Sequence, residues 1–149
     1  MRNPSGEGPR APEPYNPLEK RRLAQSIVRE LLERDAEPLP PREAFIGAGI
    51  YLIYYRGPFK LYSPLAQLNS IDLRHPIYVG QAISPGGRKG GFAESVSTPA
   101  LFGRLSQHAA SIRQAKNLEI EDFSCRFLVV DEFWISLAES LLIESYRPL

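Results

Sequence analysis

Two short tyrosine-bearing segments constrain this chain more than any other feature. One is Gly49-Ile50-Tyr51, which opens the run GIYLIYY, and the other is Tyr78-Val79-Gly80, inside PIYVG. Both are rich in the aromatic and β-branched residues that fit a pleated, half-buried surface, so both read as strands. The first is a buried strand that turns at Arg56-Gly57. Each motif alone is weak, because strands use Tyr, Ile and Val anyway. The signal lies in the order and separation of the two and in the residues downstream of them. Arg104 and His108 come next, then Glu139 with Leu142-Ile143 just beyond it.

The rest of the chain arranges itself around these strands. Residues 1–15 are dense in Pro, Gly and charge and read as a disordered arm. A helix is expected from Asn16, a good N-cap, with Pro17 in the first turn and Glu19 completing a capping box. Leu23, Ile27 and Leu31 form its apolar stripe. Residues 37–41, EPLPP, end it and serve as a linker. A short helix is expected over 63–69, a strand over 76–80, a helix over 98–115 and a strand over 123–130. A last helix spans about 135–146, after Asp131. Leu101, Leu105, Ala109 and Ile112 form the core face of the helix over 98–115. The division is an arm (1–15), an N-terminal helix and linker (16–46) and one α+β domain (47–149).

Composition sets bounds. A chain of 149 residues is long enough for one domain with a real core. No apolar run approaches the roughly 20 residues that span a bilayer, and the N-terminus has no secretory h-region. The single Cys125 can form neither an internal disulfide nor a Cys-based zinc site, and reads as a small buried hydrophobe. Together these point to a cytoplasmic protein. Net charge is +1, but its distribution is uneven: residues 47–116 carry +6 and residues 117–149 carry −5. A cationic middle suits a polyanion such as DNA, although scattered surface charge has the same composition.

The polar residues fit hydrolysis of a phosphodiester, which needs an activated water, charge stabilisation and a hard oxygen ligand if a metal takes part. Mg²⁺ often takes a single carboxylate with waters and substrate oxygens. Glu139 sits in the apolar stretch ISLAESLLI, where a carboxylate needs a partner or a cleft; the ordinary alternative is an exposed helical Glu. Arg104 and His108 are four apart and project from one helix face. They suit a phosphate fork and a proton relay, or are a plain surface pair beside the core stripe. Arg113 and Lys116 extend the basic character of that helix. Tyr51 and Tyr78 serve as base or water-orienting groups only if their environment permits it; otherwise they are core tyrosines, as Tyr54, Tyr55 and Tyr62 are expected to be. The glycine-rich loop over 84–91, with Arg88 and Lys89, lacks the Lys-Ser ending of a nucleotide phosphate loop. It is either a DNA-contacting loop or a plain surface loop.

From about residue 47 to 149, the ordered set Gly49-Ile50-Tyr51, Tyr78-Val79-Gly80, Arg104, His108 and Glu139 resembles the GIY-YIG nuclease superfamily. The segments GIYLIYYRGPFKLYSPLAQLN, PIYVGQA, LFGRLSQHAASI and DFSCRFLVVDEFWISLAESLLIESYRPL are most similar to its type II restriction endonucleases of the Eco29kI kind. The resemblance implies a three-stranded antiparallel sheet flanked by helices, with an extra N-terminal helix. It implies site-specific hydrolysis of double-stranded DNA with Mg²⁺ or Mn²⁺, by a homodimer on a palindromic site, with a cognate methyltransferase as functional partner. It assigns Glu139 to the metal, Tyr51 to activating or orienting water, and Arg104 and His108 to the phosphate. Tyr78 supports the water or phosphate, and Arg88, Lys89, Arg113 and Lys116 are DNA contacts.

Two departures stand out. The lysine common after the second motif is Gln81 here; if that lysine lowers the tyrosine pKa in relatives, this chain uses another cation or runs slower. Relatives continue beyond Tyr146-Arg-Pro-Leu149 with an active-site asparagine, so a truncated domain is expected. A repair or homing nuclease and an inactive DNA-binding module are the alternative readings.

Overall fold

The computed structural model describes residues 8–16, 19–85 and 98–146. Helix α1 (Lys20–Glu33) comes first, then a two-residue strand β1 (Glu37–Pro38) and the long strand β2 (Gly49–Tyr55). A short helix α2 (Ser63–Leu68) leads to β3 (Tyr78–Ala82). Helix α3 (Ala100–Gln114), strand β4 (Phe123–Val129) and helix α4 (Glu132–Ser145) complete the described chain. The sheet runs β1-β4-β2-β3, with every pair antiparallel. The expected three strands are β2, β3 and β4. The fourth is β1, inside the stretch that reads as a linker; Glu37 and Pro38 pair with Cys125 and Ser124 at the sheet's edge, where proline is tolerated.

The α+β architecture follows from the central strand. All seven residues of β2 are buried, because β3 and β4 flank it and helices cover both faces. Strand alternation sends Tyr51, Ile53 and Tyr55 to one side, where they pack with Leu101, Leu105 and Ala109 of α3. Ile50, Leu52 and Tyr54 go to the other side, against Val28 and Leu31 of α1 and Ile135, Ala138 and Leu142 of α4. Gly49 must lack a side chain, since a Cβ there would overlap the Leu128 carbonyl on β4. Cys125 is buried, with its thiol against the Pro38 carbonyl and its pKa pushed up to about 12 by burial.

Two helix starts differ from the sequence reading. Helix α1 begins at Lys20, with Glu19 at the cap position and no side-chain cap. Asn16 instead donates its amide to the Pro14 carbonyl, and Glu19 pairs with Arg22. Helix α4 begins three residues earlier than expected. Asp131 accepts the Phe133 N–H, so the helix opens at Glu132. The strand expected over 76–80 is shifted to Tyr78–Ala82.

Glu132 also ties α4 to the sheet. The residue is 5% exposed, and its carboxylate accepts the backbone N–H of Ser84 at 3.0 Å, just past β3. Thr98 Oγ1 donates to Ser84 Oγ at 2.8 Å. The Thr98 carbonyl accepts the Gly47 N–H, and the Gly47 carbonyl accepts the Leu101 N–H. The exit of β3, the entry of α3 and the entry of β2 are thus held at one place. No helix among the described residues is long and apolar enough to cross a membrane.

Candidate active site

Tyr51 is fully buried at mid-strand, and its hydroxyl oxygen is 2.8 Å from His108 Nε2 on α3. Tyr78 opens the edge strand β3 and is 41% exposed. Its ring stacks on Tyr51 with centroids 6.0 Å apart and lies 4.6 Å from the His108 ring. The sheet register explains the grouping: Tyr51 is opposite Gly80, and alternation brings Tyr78 to the same face. The glycine is a requirement of space, because a Cβ at Gly80 would overlap the Tyr51 hydroxyl. On α3, Leu101, Leu105 and Ala109 turn inward, which leaves Arg104 and His108 on the flank that meets the phenols.

Arg104 is exposed, and its guanidinium faces the hydroxyls of both Tyr51 and Tyr78. The Tyr51 pKa is pushed up to about 12, chiefly by burial, with the Arg104 charge opposing the rise. His108 is held below its usual 6.5 by burial and then by Arg104, so it is neutral at pH 7. Gln81 alternates away from the phenols to the α4 side of β3, opposite Ile50, and its Oε1 is buried without a hydrogen bond among the described residues. Among the described residues, the cation that reaches the tyrosines is Arg104.

Glu139 comes from α4, which packs against β2 and β3 from the other side of the sheet. It is partly buried and has no hydrogen bond or ion pair among the described residues, and burial raises its pKa. A carboxylate left without a protein partner fits a divalent ion held through one carboxylate, waters and substrate oxygens. No cluster of three or more His, Cys, Asp or Glu is present among the described residues.

The structure therefore brings Tyr51, Tyr78, Arg104 and His108 together on the α3 face, while Glu139 comes from α4, which covers the opposite face of the sheet. Arg113 and Lys116 are exposed at and just after the end of α3. Arg88 and Lys89, with the glycines around them, lie outside the described residues. Tyr54 and Tyr55 are buried structural tyrosines, whose hydroxyls accept from Arg126 and from the Phe59 N–H. Tyr62 packs its ring on Tyr55 and Phe59.

Residues that sequence reasoning passed over are Gly80, Glu132 and Asn69. Gly80 was legible as part of a motif but not as the clearance for a phenol. Glu132 follows an N-cap aspartate, a position that favours a carboxylate. Asn69 stood out only as the end of a short helix.

An antiparallel α+β sheet with its two tyrosine strands paired edge to centre, and an Arg-His helix across them, defines a GIY-YIG nuclease. A family model described as the Eco29kI GIY-YIG domain matches residues 43–149, and the chain belongs to that family. A search of curated proteins finds no match.

Proposed function

We propose that this chain is a metal-dependent, site-specific endonuclease of a restriction system, acting on double-stranded DNA as a homodimer. The observation that carries the proposal is the 2.8 Å pairing of the buried Tyr51 hydroxyl with a His108 that is neutral at pH 7. A phenol with a pKa of about 12 is ionised in only about one molecule in 10⁵ at pH 7. Tyr51 alone is therefore a poor base. With the imidazole proton on Nδ1, Nε2 accepts the phenol proton as the phenol takes one from water. His108 is then the proton's destination, and Tyr51 is the relay that orients the attacking water.

Arg104 faces the phenols from the exposed side, where its fork suits non-bridging phosphate oxygens. Tyr78, half exposed and stacked on Tyr51, closes the water's other side. Glu139 would hold Mg²⁺ or Mn²⁺, which when bound supplies Lewis-acid stabilisation of the scissile phosphate. This reading puts the scissile phosphate at the edge strand β3, with the tyrosine cluster supplied from the α3 face and the metal-holding carboxylate from α4. Arg113 and Lys116 extend the cationic track along α3 toward neighbouring phosphates. Such a nuclease is paired in the cell with a methyltransferase that protects the same site.

The test is digestion of plasmid DNA with purified protein, with Mg²⁺ and with chelator, beside Glu139→Ala. Discrete fragments are expected only with Mg²⁺ and intact Glu139, while Glu139→Ala still retards DNA on a gel. Cutting by Glu139→Ala at the wild-type rate would overturn the metal assignment. Equal binding without cutting under every condition would make the chain a binding module.

A further inference from the structure

The connection between β2 and β3 presents apolar side chains to solvent on a backbone that is locked. Ile71 is 87% exposed and Leu61 is 80% exposed. Single exposed hydrophobics are common on protein surfaces and need no explanation. What sets Ile71 apart is the framework beneath it. Asn69 is fully buried, and both ends of its amide are used. Nδ2 donates to the carbonyls of Tyr55 and His75, at 3.3 and 2.9 Å. Oδ1 accepts the N–H groups of Arg74 and His75, at 2.9 and 2.8 Å. Arg56 adds a second clamp: Nε donates to the Asn69 carbonyl at 2.6 Å, and Nη2 to the carbonyl of Ile71 itself at 3.3 Å.

A buried amide with two donated and two accepted hydrogen bonds is satisfied only in this one loop conformation, since any other would leave it buried and unpaired. Its effect is to order the loop before anything binds, which removes the ordering cost from the binding step. The same chain segment then enters β3 at Tyr78. Asn69 is bonded to Tyr55, four residues along β2 from Tyr51, or about 13 Å at the strand rise. A duplex whose scissile phosphate lies at the tyrosine cluster reaches the loop within about half a helical turn. Within residues 56–77 the charge agrees: Arg56, Lys60 and Arg74 stand against Asp72 alone in sequence, and Arg74 pairs it at 3.2 Å, with the Asp122 carboxylate near Gly57 at the start of the connection.

The geometry points to Ile71 as an apolar wedge that inserts against the base steps of the DNA substrate, held in place by the Asn69–Arg56 framework. This rests on the nuclease reading above. Apolar wedges of this kind unstack a step and make its deformability part of the recognition. Ile71 is a positioning and specificity-determining residue here.

The experiment begins with plasmid digestion, from which end mapping gives the cut site. Duplexes of that site, carrying 2-aminopurine at each step in turn, are then bound with Ca²⁺ in place of Mg²⁺. Wild-type protein is expected to raise fluorescence at one step. Ile71→Ala, a surface truncation that leaves the fold intact, should abolish that rise and lower kcat/KM by 10- to 100-fold. Ile71→Leu should restore both. An Ile71→Ala protein with wild-type kcat/KM and an unchanged fluorescence profile would overturn the inference and leave the nuclease reading standing. A variant that instead converts a dimer to a monomer in sedimentation, without altering the base-step signal, would assign Ile71 to a protein interface and equally overturn it. A wild-type chain that neither binds nor cuts plasmid would remove the nuclease reading, and the inference with it.

Discussion

Tyr51 and Tyr54 sit three residues apart on β2, and neither exposes any surface, yet their hydroxyls meet partners of opposite kinds. Tyr54 accepts from Arg126 Nη1 at 2.8 Å, and the same guanidinium lies 5.1 Å from the Tyr54 ring centroid. Arg126 is itself fixed by the carbonyls of Arg34 and Leu73. Tyr51 meets an imidazole whose pKa burial and Arg104 hold down, on a helix that also carries the exposed Arg104. The two faces of one strand thus separate a phenol that holds the core together from a phenol able to pass a proton. Burial alone does not distinguish them, because it raises both pKa values. The partner does.

That contrast is open to a direct double test, with the largest effect first. Tyr51→Phe should reduce cleavage by about 10²- to 10⁴-fold, since it removes the proton relay. Tyr54→Phe should cut at close to the wild-type rate but lose on the order of 1–2 kcal/mol in urea titration, because Arg126 is left with an unmatched donor. Equal activity losses in the two variants would erase the distinction between the faces.

Gly80→Ala probes the same contrast from the edge strand. The new Cβ must displace the Tyr51 hydroxyl and nothing on the Tyr54 side, so cleavage should drop by about 10- to 100-fold through misplacement. A crystal structure of the variant should show the Tyr51–His108 pair lengthened and the Tyr54–Arg126 pair unchanged.

The pH dependence sharpens it further. His108 has a folded pKa below its unfolded value. The unfolded chain therefore takes up the proton first as pH falls, and the stability tied to neutral His108 is present above about pH 6.5 and lost through the folded value. The acid limb of kcat/KM should fall in the same window, below pH 6.5, in wild type and in Tyr54→Phe alike. An acid limb centred well above pH 6.5 would exclude His108 as the acceptor.

The smallest effect on stability belongs to Glu139. Its raised pKa means that the folded state favours the protonated carboxyl, so the ionised form is a burden that grows as pH rises through the folded value. Glu139→Gln should abolish metal-dependent cutting yet raise the melting temperature by about 1–2 °C at pH 7. That gain should disappear below about pH 4. A lower melting temperature at pH 7 would mean that Glu139 has a structural partner.

Much of this arrangement is legible in the sequence, and the reasons are physical. The strand over 49–55 appears with the expected bounds because an apolar run of that length between turn residues has few other solutions. Leu101, Leu105 and Ala109 are legible as the inner face of α3 because helical spacing leaves them no alternative, and Arg104 and His108 follow on its flank. The hidden parts depend on partners distant in sequence. Nothing local tells Glu37 and Pro38 to pair with Cys125 and Ser124. The buried hub at Asn69 gathers Tyr55, Arg74 and His75, a role that a turn-forming residue type does not disclose. Gln81 is noticeable as a departure, but only the strand register shows that it faces away from Tyr51. Capping preference places the start of α1 at Asn16, and a competing local bond to Pro14 takes that side chain instead.

The hydroxyl pair of Ser84 and Thr98 brackets thirteen residues of sequence, from 85 to 97, between the strand of the second tyrosine and the helix of the histidine. The two ends meet each other and are pinned in turn by Glu132 and Gly47, so the closure of the connection is fixed at its ends. Doubling its length adds only about 0.6 kcal/mol of closure entropy. The phenols, the imidazole and the guanidinium therefore keep their spacing whatever length of chain joins those two ends.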